Sequence, residues 1–487
     1  MSLAARVERW AWRLLLVLLL AAAALFLVHV WLAVRADAPL DYGEGPLLNQ
    51  ARLLVQGRPL YRPTLDEPPY TITNYPPLYQ MLVALVGAVV GFTYATGRWV
   101  SAAASLAAAG AVWALVQALT GDRRAGALAG ALFLAFPIVF YWGVLGRVDM
   151  LALALSLWGI WWAVRWPQAW RGVIGAAVLL TAAAFTRQSY LLAAPLAVLC
   201  WLAAHERRWA VRFVALFALL VAGLGALAVW WTDGGFWLHV VVANRNRLEW
   251  WRLLLGVYML LLFAAPLAVI TLVEVPRHVR HVRRRQARSW LLLGYFVGAS
   301  LSALTIAKVG SNVNYLLEWC AASVLLVGVG VVRWQREMTP TARLLPLGLL
   351  IAGLGLALWE DTTFLETTSW AAHELASEVE QLEALVCAAE GPVLADDMMS
   401  VLVVCGKEIY LQPFEYTHLV EDGVWDQQPL LDAIRAQQFA LILMSDTAWH
   451  GLDRHWTPEM EAAIREAYTP AERLAGTLVY HPKSRTP

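Results

Sequence analysis

Apolar stretches recur along most of this chain, at residues 14–34, 99–119, 125–142, 150–164, 173–185, 190–204, 211–231, 253–273, 291–307, 313–332 and 344–359, each followed by a polar segment. A helix needs about 20 mostly apolar residues to cross a bilayer, so the longer stretches suffice alone and the shorter ones must extend into their flanks. The pattern predicts about eleven transmembrane helices. One further apolar segment, 82–90, is short and contains glycine, and is expected to lie at the interface or to re-enter. Beyond residue 359 the pattern changes to an acidic stretch and then to strand-like runs at 392–395, 401–404, 409–411 and 439–444, with an amphipathic segment at 430–438. Strands alternating with a helix predict a small α/β domain. The expected organisation is a polytopic α-helical membrane domain over 1–360, with a long loop at 35–98, followed by a soluble α/β domain over 361–487.

Composition supports the membrane class, because 60% of residues are hydrophobic and only 15% charged. A net charge of +1, with charges segregated along the chain, gives no basic patch for nucleic acid. Arginine distribution sets an orientation. With the N-terminus in the cytoplasm, the arginine-dense loops at 123–124, 165–171, 207–212, 277–288 and 333–343 all fall on that side, as short cytoplasmic loops should. Counting 82–90 as a span would turn every one of them outward. An odd number of spans puts the tail outside an inner or plasma membrane, where Cys387 and Cys405 could pair.

The opposite face collects a set mixed in sign and rich in amides: Asp41, Glu44, Arg147, Asp149, Arg187, Gln188, Arg245, Lys308, Asn312, Asn314 and Glu318. Taken singly, such residues at helix ends also serve as headgroup anchors or local ion pairs. Asp41 and Glu44 open a loop that closes with Tyr75-Pro76-Pro77-Leu78-Tyr79. A carboxylate there suits a general base acting on a hydroxyl, with cations neutralising a leaving phosphate. The competing structural reading has Asp41 capping a short loop helix that starts near Glu44. Arg187 and Lys308 stand just beyond apolar runs, where a cation needs an anion such as a lipid phosphate, Asp149 or Glu318. No glycine-rich phosphate loop and no metal-spaced His/Cys group is present, which favours a lipid-linked donor over a nucleotide sugar. Asp41 and Asp149 could together hold Mg or Mn, although nothing in the spacing demands a metal.

Asp41-Tyr42-Gly43-Glu44-Gly45, Gly57-Arg58-Pro59-Leu60-Tyr61 and Tyr75-Pro76-Pro77-Leu78-Tyr79 resemble the first outer loop of membrane glycosyltransferases of the GT-C superfold, most nearly the glycosyltransferase 39-like, protein-mannosyltransferase-related group. Gly146-Arg147-Val148-Asp149, Thr186-Arg187-Gln188 and Asn312-Val313-Asn314-Tyr315 are similar to further segments of that group. The resemblance implies transfer of a sugar from a polyprenyl-phosphate carrier to a lipid, glycan or protein acceptor on the outer face, with inversion. It implies catalytic carboxylates at Asp41, Glu44 and Asp149, and phosphate contacts from Arg147, Arg187, Lys308 and Arg245. Substrate contacts then fall to Tyr75, Tyr79, Gln188, Asn312, Asn314 and Tyr315. The rival class is a transporter or lipid-linked glycan translocase. That class expects ionisable residues in mid-helix or repeated broken helices, whereas here they gather at helix ends.

Overall fold

The computed structural model describes residues 2–445 and 454–483. All eleven apolar stretches are helical. The helices are α1 (Leu3–Arg35), α2 (Glu44–Val55), α3 (Leu78–Val90), α4 (Tyr94–Thr120), α5 (Arg123–Leu134), α6 (Pro137–Trp142), α7 (Asp149–Arg165), α8 (Trp170–Ala184), α9 (Ala193–His205), α10 (Arg207–Trp231) and the single turn α11 (Gly235–Trp237). They continue with α12 (Trp250–Arg283), α13 (Ala287–Ala303), α14 (Leu317–Glu337) and α15 (Pro340–Trp370). Among the described residues, eight helices are long and apolar enough to cross a membrane. The expected spans at 125–142, 150–164 and 173–185 fall short of that length. The first of them is divided where Pro137, which lacks an N–H, starts a new helix instead of continuing α5. The core is α14, whose spanning segment is almost wholly buried, ringed by α4, α5, α12 and α13. Outward faces of α1, α10 and α12 carry exposed Leu, Val and Trp, a surface that suits acyl chains and not water.

The two ends of the bundle differ in chemistry. At one end Glu8 pairs with Arg343, and Glu274 with Arg277 and Arg333, so the arginine-rich segments lie together. At the other end Asp41, Glu44, Arg98, Arg147, Asp149 and Arg187 are linked by hydrogen bonds. Helix α3 runs across this second end: Tyr79 Oη donates to Gly97 O (3.1 Å) at its start, and Thr96 Oγ1 donates to Gly91 O (2.8 Å) at its finish. Both of its ends are therefore tied to the first turn of α4.

The tail differs in detail from its sequence pattern. The helix begun at Pro340 continues without a break through a π-helical turn (Ala371–Leu375) into α16 (Ala376–Ala388), so the boundary drawn at 360/361 falls inside a rod. Then come β1 (Val393–Ala395), α17 (Met399–Val404), α18 (Pro413–Glu421), α19 (Gln428–Arg435), β2 (Leu441–Ser445), α20 (Pro458–Ala467), β3 (Tyr468–Leu474) and β4 (Thr477–Pro482). They build a sheet of order β1-β2-β4-β3, parallel only between β1 and β2. Residues 401–404, expected as a strand, lie in α17, and 409–411 pair only through a bridge from Leu411 to Tyr70.

That bridge is one of several contacts docking the tail on the loop. Arg52 donates to the carbonyls of Val403 (3.1 Å) and Lys407, satisfying groups left open where α17 ends. A Cβ on Gly45 would meet Ser400 N at 2.6 Å, so glycine is what allows α2 to approach α17 this closely. Cys387 and Cys405 form a disulfide across 18 residues, joining the end of α16 to the end of α17. A loop of that size is worth about 3 kcal/mol, so Cys387→Ser should lower the thermal midpoint of the tail. Reductant should produce a matching drop in wild type and none in the variant.

Candidate functional site

The site grows from the chain leaving α1. Arg98, wholly buried on α4, donates to three carbonyls of that exit, Ala33 (2.8 Å), Ala36 (2.7 Å) and Ala38 (2.6 Å), and grips Glu44 through Nε (2.9 Å) and Nη2 (2.7 Å). Glu44 also accepts from Gly146 N (2.8 Å) and Leu40 N (3.1 Å). Burial opposes its ionisation, but the charge and hydrogen bonds of Arg98 and these two N–H groups outweigh it and hold its pKa below the ordinary range. A carboxylate with both oxygens so occupied is a clamp. Glu44, expected as a second catalytic carboxylate, thus has both oxygens engaged by the protein itself.

This clamp fixes Asp41 three residues earlier. Asp41 Oδ1 accepts from Gly43 N (2.8 Å) and Arg147 Nη1 (2.8 Å), and its carbonyl accepts from Glu44 N (3.1 Å). Any Cβ at Gly43 would collide with the Arg147 guanidinium, which explains the glycine in Asp41-Tyr42-Gly43-Glu44. Burial raises the Asp41 pKa; Arg147 and the Gly43 N–H pull it back, while Glu44 and Asp149 push the same way as burial. The result is a carboxylate with a raised pKa, as a general base needs.

The second half of the site crosses the first in its pairing. Arg147 takes Asp41, and Asp149 is paired with Arg187, although the sequence puts Arg147 and Asp149 two residues apart. Asn314 Nδ2 donates to Asp149 Oδ1 (3.0 Å), and the Arg187 guanidinium lies over the Tyr315 ring, 4.5 Å from its centroid. Tyr75 Oη accepts from Arg147 Nη2 at 3.5 Å. Four buried polar atoms here have no partner among the described residues: Asp149 Oδ2, Asn314 Oδ1, Gln188 Oε1 and Arg147 Nε. Buried polar atoms are costly unless satisfied, and these four are open to a polar ligand.

The remaining candidates divide. Gln188 Nε2 (3.0 Å) and Asn244 Nδ2 (3.2 Å) both donate to Asn74 O, and Lys308 Nζ donates to Asn244 O (2.9 Å), so Lys308 joins the rim through the backbone. Arg245 is exposed on the same loop. Asn312 is exposed and accepts from Val313 N (2.7 Å) at the start of the turn over Val313–Leu316. Tyr79 is fully enclosed with its hydroxyl on Gly97 and Ser101, so it holds α3 and does not face a substrate, contrary to expectation.

Sequence reasoning missed Arg98 and Glu415. Arg98 sits at the outer end of an apolar run, the same signal that singled out Arg187 and Lys308. Glu415 lies in the tail, on α18, and accepts from Tyr42 Oη (2.5 Å) and Asn74 Nδ2 (3.4 Å); no local pattern points to it. Asp396 caps the sheet, accepting from Ser445 N (3.0 Å) and Trp456 Nε1 (3.0 Å). Its neighbour Asp397 has a carboxyl pushed up to about 7, by burial first, then by Asp396, with Asp41 adding to it.

The metal expected at Asp41 and Asp149 does not suit this donor set. Each carboxylate already carries a guanidinium, and no group of three His, Cys, Asp or Glu able to hold an ion occurs among the described residues. No chemical step is routed through one.

Residues 74–231 match the family model described as dolichyl-phosphate-mannose-protein mannosyltransferase. No curated protein sequence matches the chain. ArnT from Cupriavidus metallidurans in the apo state is similar in structure, with a TM-score of 0.64 and 14% identity over 96% of this chain and 97% of that one. The same protein bound to undecaprenyl phosphate gives a TM-score of 0.63 and 13% identity, covering 96% and 97%. The archaeal oligosaccharyltransferase AglB from Archaeoglobus fulgidus, in complex with an inhibitory peptide and a dolichol-phosphate, gives 0.59 and 12%, covering 98% of this chain and 75% of that one. The chain has the membrane-embedded GT-C fold of these glycosyltransferases.

Proposed function

We propose that the protein transfers a sugar from a polyprenyl-phosphate donor to an acceptor hydroxyl, with inversion, at the end of the bundle that carries Asp41. The observation that carries this reading is a set of exposed apolar residues close to two cations, of which Arg187 is held by the buried Asp149. Helix α10 packs on α8 and α9, and α12 on α13, α14 and α15, with at most slight contact between α10 and α12. On the segments around α9 and α13, Leu191, Leu192, Val297, Leu301 and Leu304 are exposed, the first two a few residues after Arg187 and the last a few residues before Lys308. A polyprenyl chain lying there would bring its phosphate to Arg187, where a guanidinium offers planar, bidentate recognition.

In the reaction Asp41 takes the proton of the acceptor hydroxyl, whose oxygen attacks the anomeric carbon from the side opposite the phosphate. The bond from that carbon to the phosphate oxygen breaks, and its electron pair leaves on polyprenyl phosphate. Arg187 and Arg147 stabilise the charge that develops. Asp41 must be ionised to act, and burial raises its pKa, so the rate should fall as pH drops through a value higher than that of an ordinary aspartate. A pH–rate profile of kcat/KM reads that limb. The arginine-rich end opposite the site and the disulfide beside it both support placing the site and tail outside the cell.

The test is transfer from a panel of radiolabelled polyprenyl-phosphate sugars by purified protein in vesicles. Label moved to an acceptor supports the reading. Donor left intact while labelled lipid crosses the bilayer would replace it with translocation.

A further inference from the structure

Tyr42 follows Asp41 directly, and every strong contact of its side chain comes from the tail. Its hydroxyl donates to Glu415 Oε2 at 2.5 Å. Its ring meets Phe414 edge-on, 6.2 Å between centroids, and His455 at 5.3 Å, and those two rings meet each other at 5.6 Å. Glu415 Oε1 also accepts from Asn74 Nδ2 (3.4 Å), and Asn74 O receives Gln188 and Asn244, which adjoin Arg187 and hold Lys308. One tail carboxylate thus joins the base side of the site to its cationic side.

Docking the tail does not require this. The hydrogen bonds from Arg52 to the end of α17, the Gly45 approach to Ser400 and the bridge from Tyr70 to Leu411 already fasten loop to tail. Partly burying a carboxylate costs free energy unless it is paired, and the half-buried Glu415 has no cation within salt-bridge distance among the described residues, Arg147 acting on it only from farther away. Burial raises its pKa, against the bonds from Tyr42 and its own backbone. A costly group where docking is already secured points to a role in the site.

We infer that Glu415 and Tyr42 form a positioning pair through which the tail holds the Asp41 turn in the geometry needed for transfer. The inference rests on the proposed function for its kinetic consequence but has a structural readout of its own. Full-length Tyr42→Phe, Glu415→Gln and the double variant should each speed amide hydrogen exchange over residues 41–45 by about tenfold or more, the effect expected of losing a hydrogen bond to a charged group. Glu408→Gln, which breaks an exposed loop-to-tail ion pair with Arg58, should leave that exchange unchanged. In the transfer assay the first three variants should lose about tenfold or more in kcat with the donor KM within about twofold. The double should be no worse than either single, because the residues act as a unit. Exchange that stays at the wild-type rate, exchange raised equally by Glu408→Gln, or raised exchange with kcat untouched overturns the inference. If wild type transfers no sugar from any donor, the proposed function fails, and the exchange measurement still decides the pair.

Discussion

Glu44→Ala should cost about 3–5 kcal/mol of stability and sharply reduce the folded protein recovered from membranes, because it leaves Arg98 charged and buried with only carbonyls and the Tyr94 ring to face. Arg98 has no exposed surface, and of its five hydrogen bonds two go to Glu44. Arg98→Met should do less harm than Glu44→Ala, since its apolar stem fills the space while Glu44 keeps the N–H groups of Gly146 and Leu40. The pair also sets a pH limit. The Glu44 pKa is lowered on folding, so its contribution is full above the unfolded carboxylate's pKa and is lost as pH falls through the lowered one. Thermal unfolding of the variants between pH 3 and pH 7 reads both effects. If Glu44→Ala unfolds like wild type, the clamp is not what holds the loop.

Arg187→Met should reduce kcat/KM by about a hundredfold or more, the effect of truncating one partner of a desolvated, hydrogen-bonded charge pair. Asp149 would keep only Asn314 and would be left buried without its cation. Part of any loss would therefore be structural. Adding Asp149→Asn separates the two: the double variant should regain stability, since the uncompensated charge is gone, and should not regain transfer if Arg187 meets the donor phosphate. Arg187→Lys should recover little, because an ammonium provides neither the planar fork nor the stacking on Tyr315. Transfer rates and unfolding midpoints of the three variants decide it. A double variant as active as wild type would remove Arg187 from donor binding.

The architecture was legible because its cause is local. A run of apolar residues needs no partner elsewhere to favour a membrane helix, and arginine in short loops is read segment by segment. The placement of Asp41, Arg187 and Asn314 at one end followed from the same bookkeeping. What escaped depends on residues far apart in sequence. Arg98 grips a carboxylate 54 residues before it, and Glu415 meets Tyr42 across 373 residues. The crossed pairing of Arg147 with Asp41 and Arg187 with Asp149 depends on Arg147 reaching past Gly43, which proximity along the chain argues against. Residues 401–404 read as a strand because a short buried apolar run carries no period of its own, and packing against α2 and α16 made them helical.

The measurement closest to the central claim is donor consumption by Asp41→Asn beside wild type, both purified and shown to be folded. Asparagine keeps the shape and can still accept from Gly43 N, but it cannot take a proton. The rate should fall by about a hundredfold to ten-thousandfold, the range that general-base catalysis supplies, with the unfolding midpoint within a few degrees of wild type. Donor consumed at the wild-type rate by Asp41→Asn would contradict the account, because no base would then be needed at the position proposed for one.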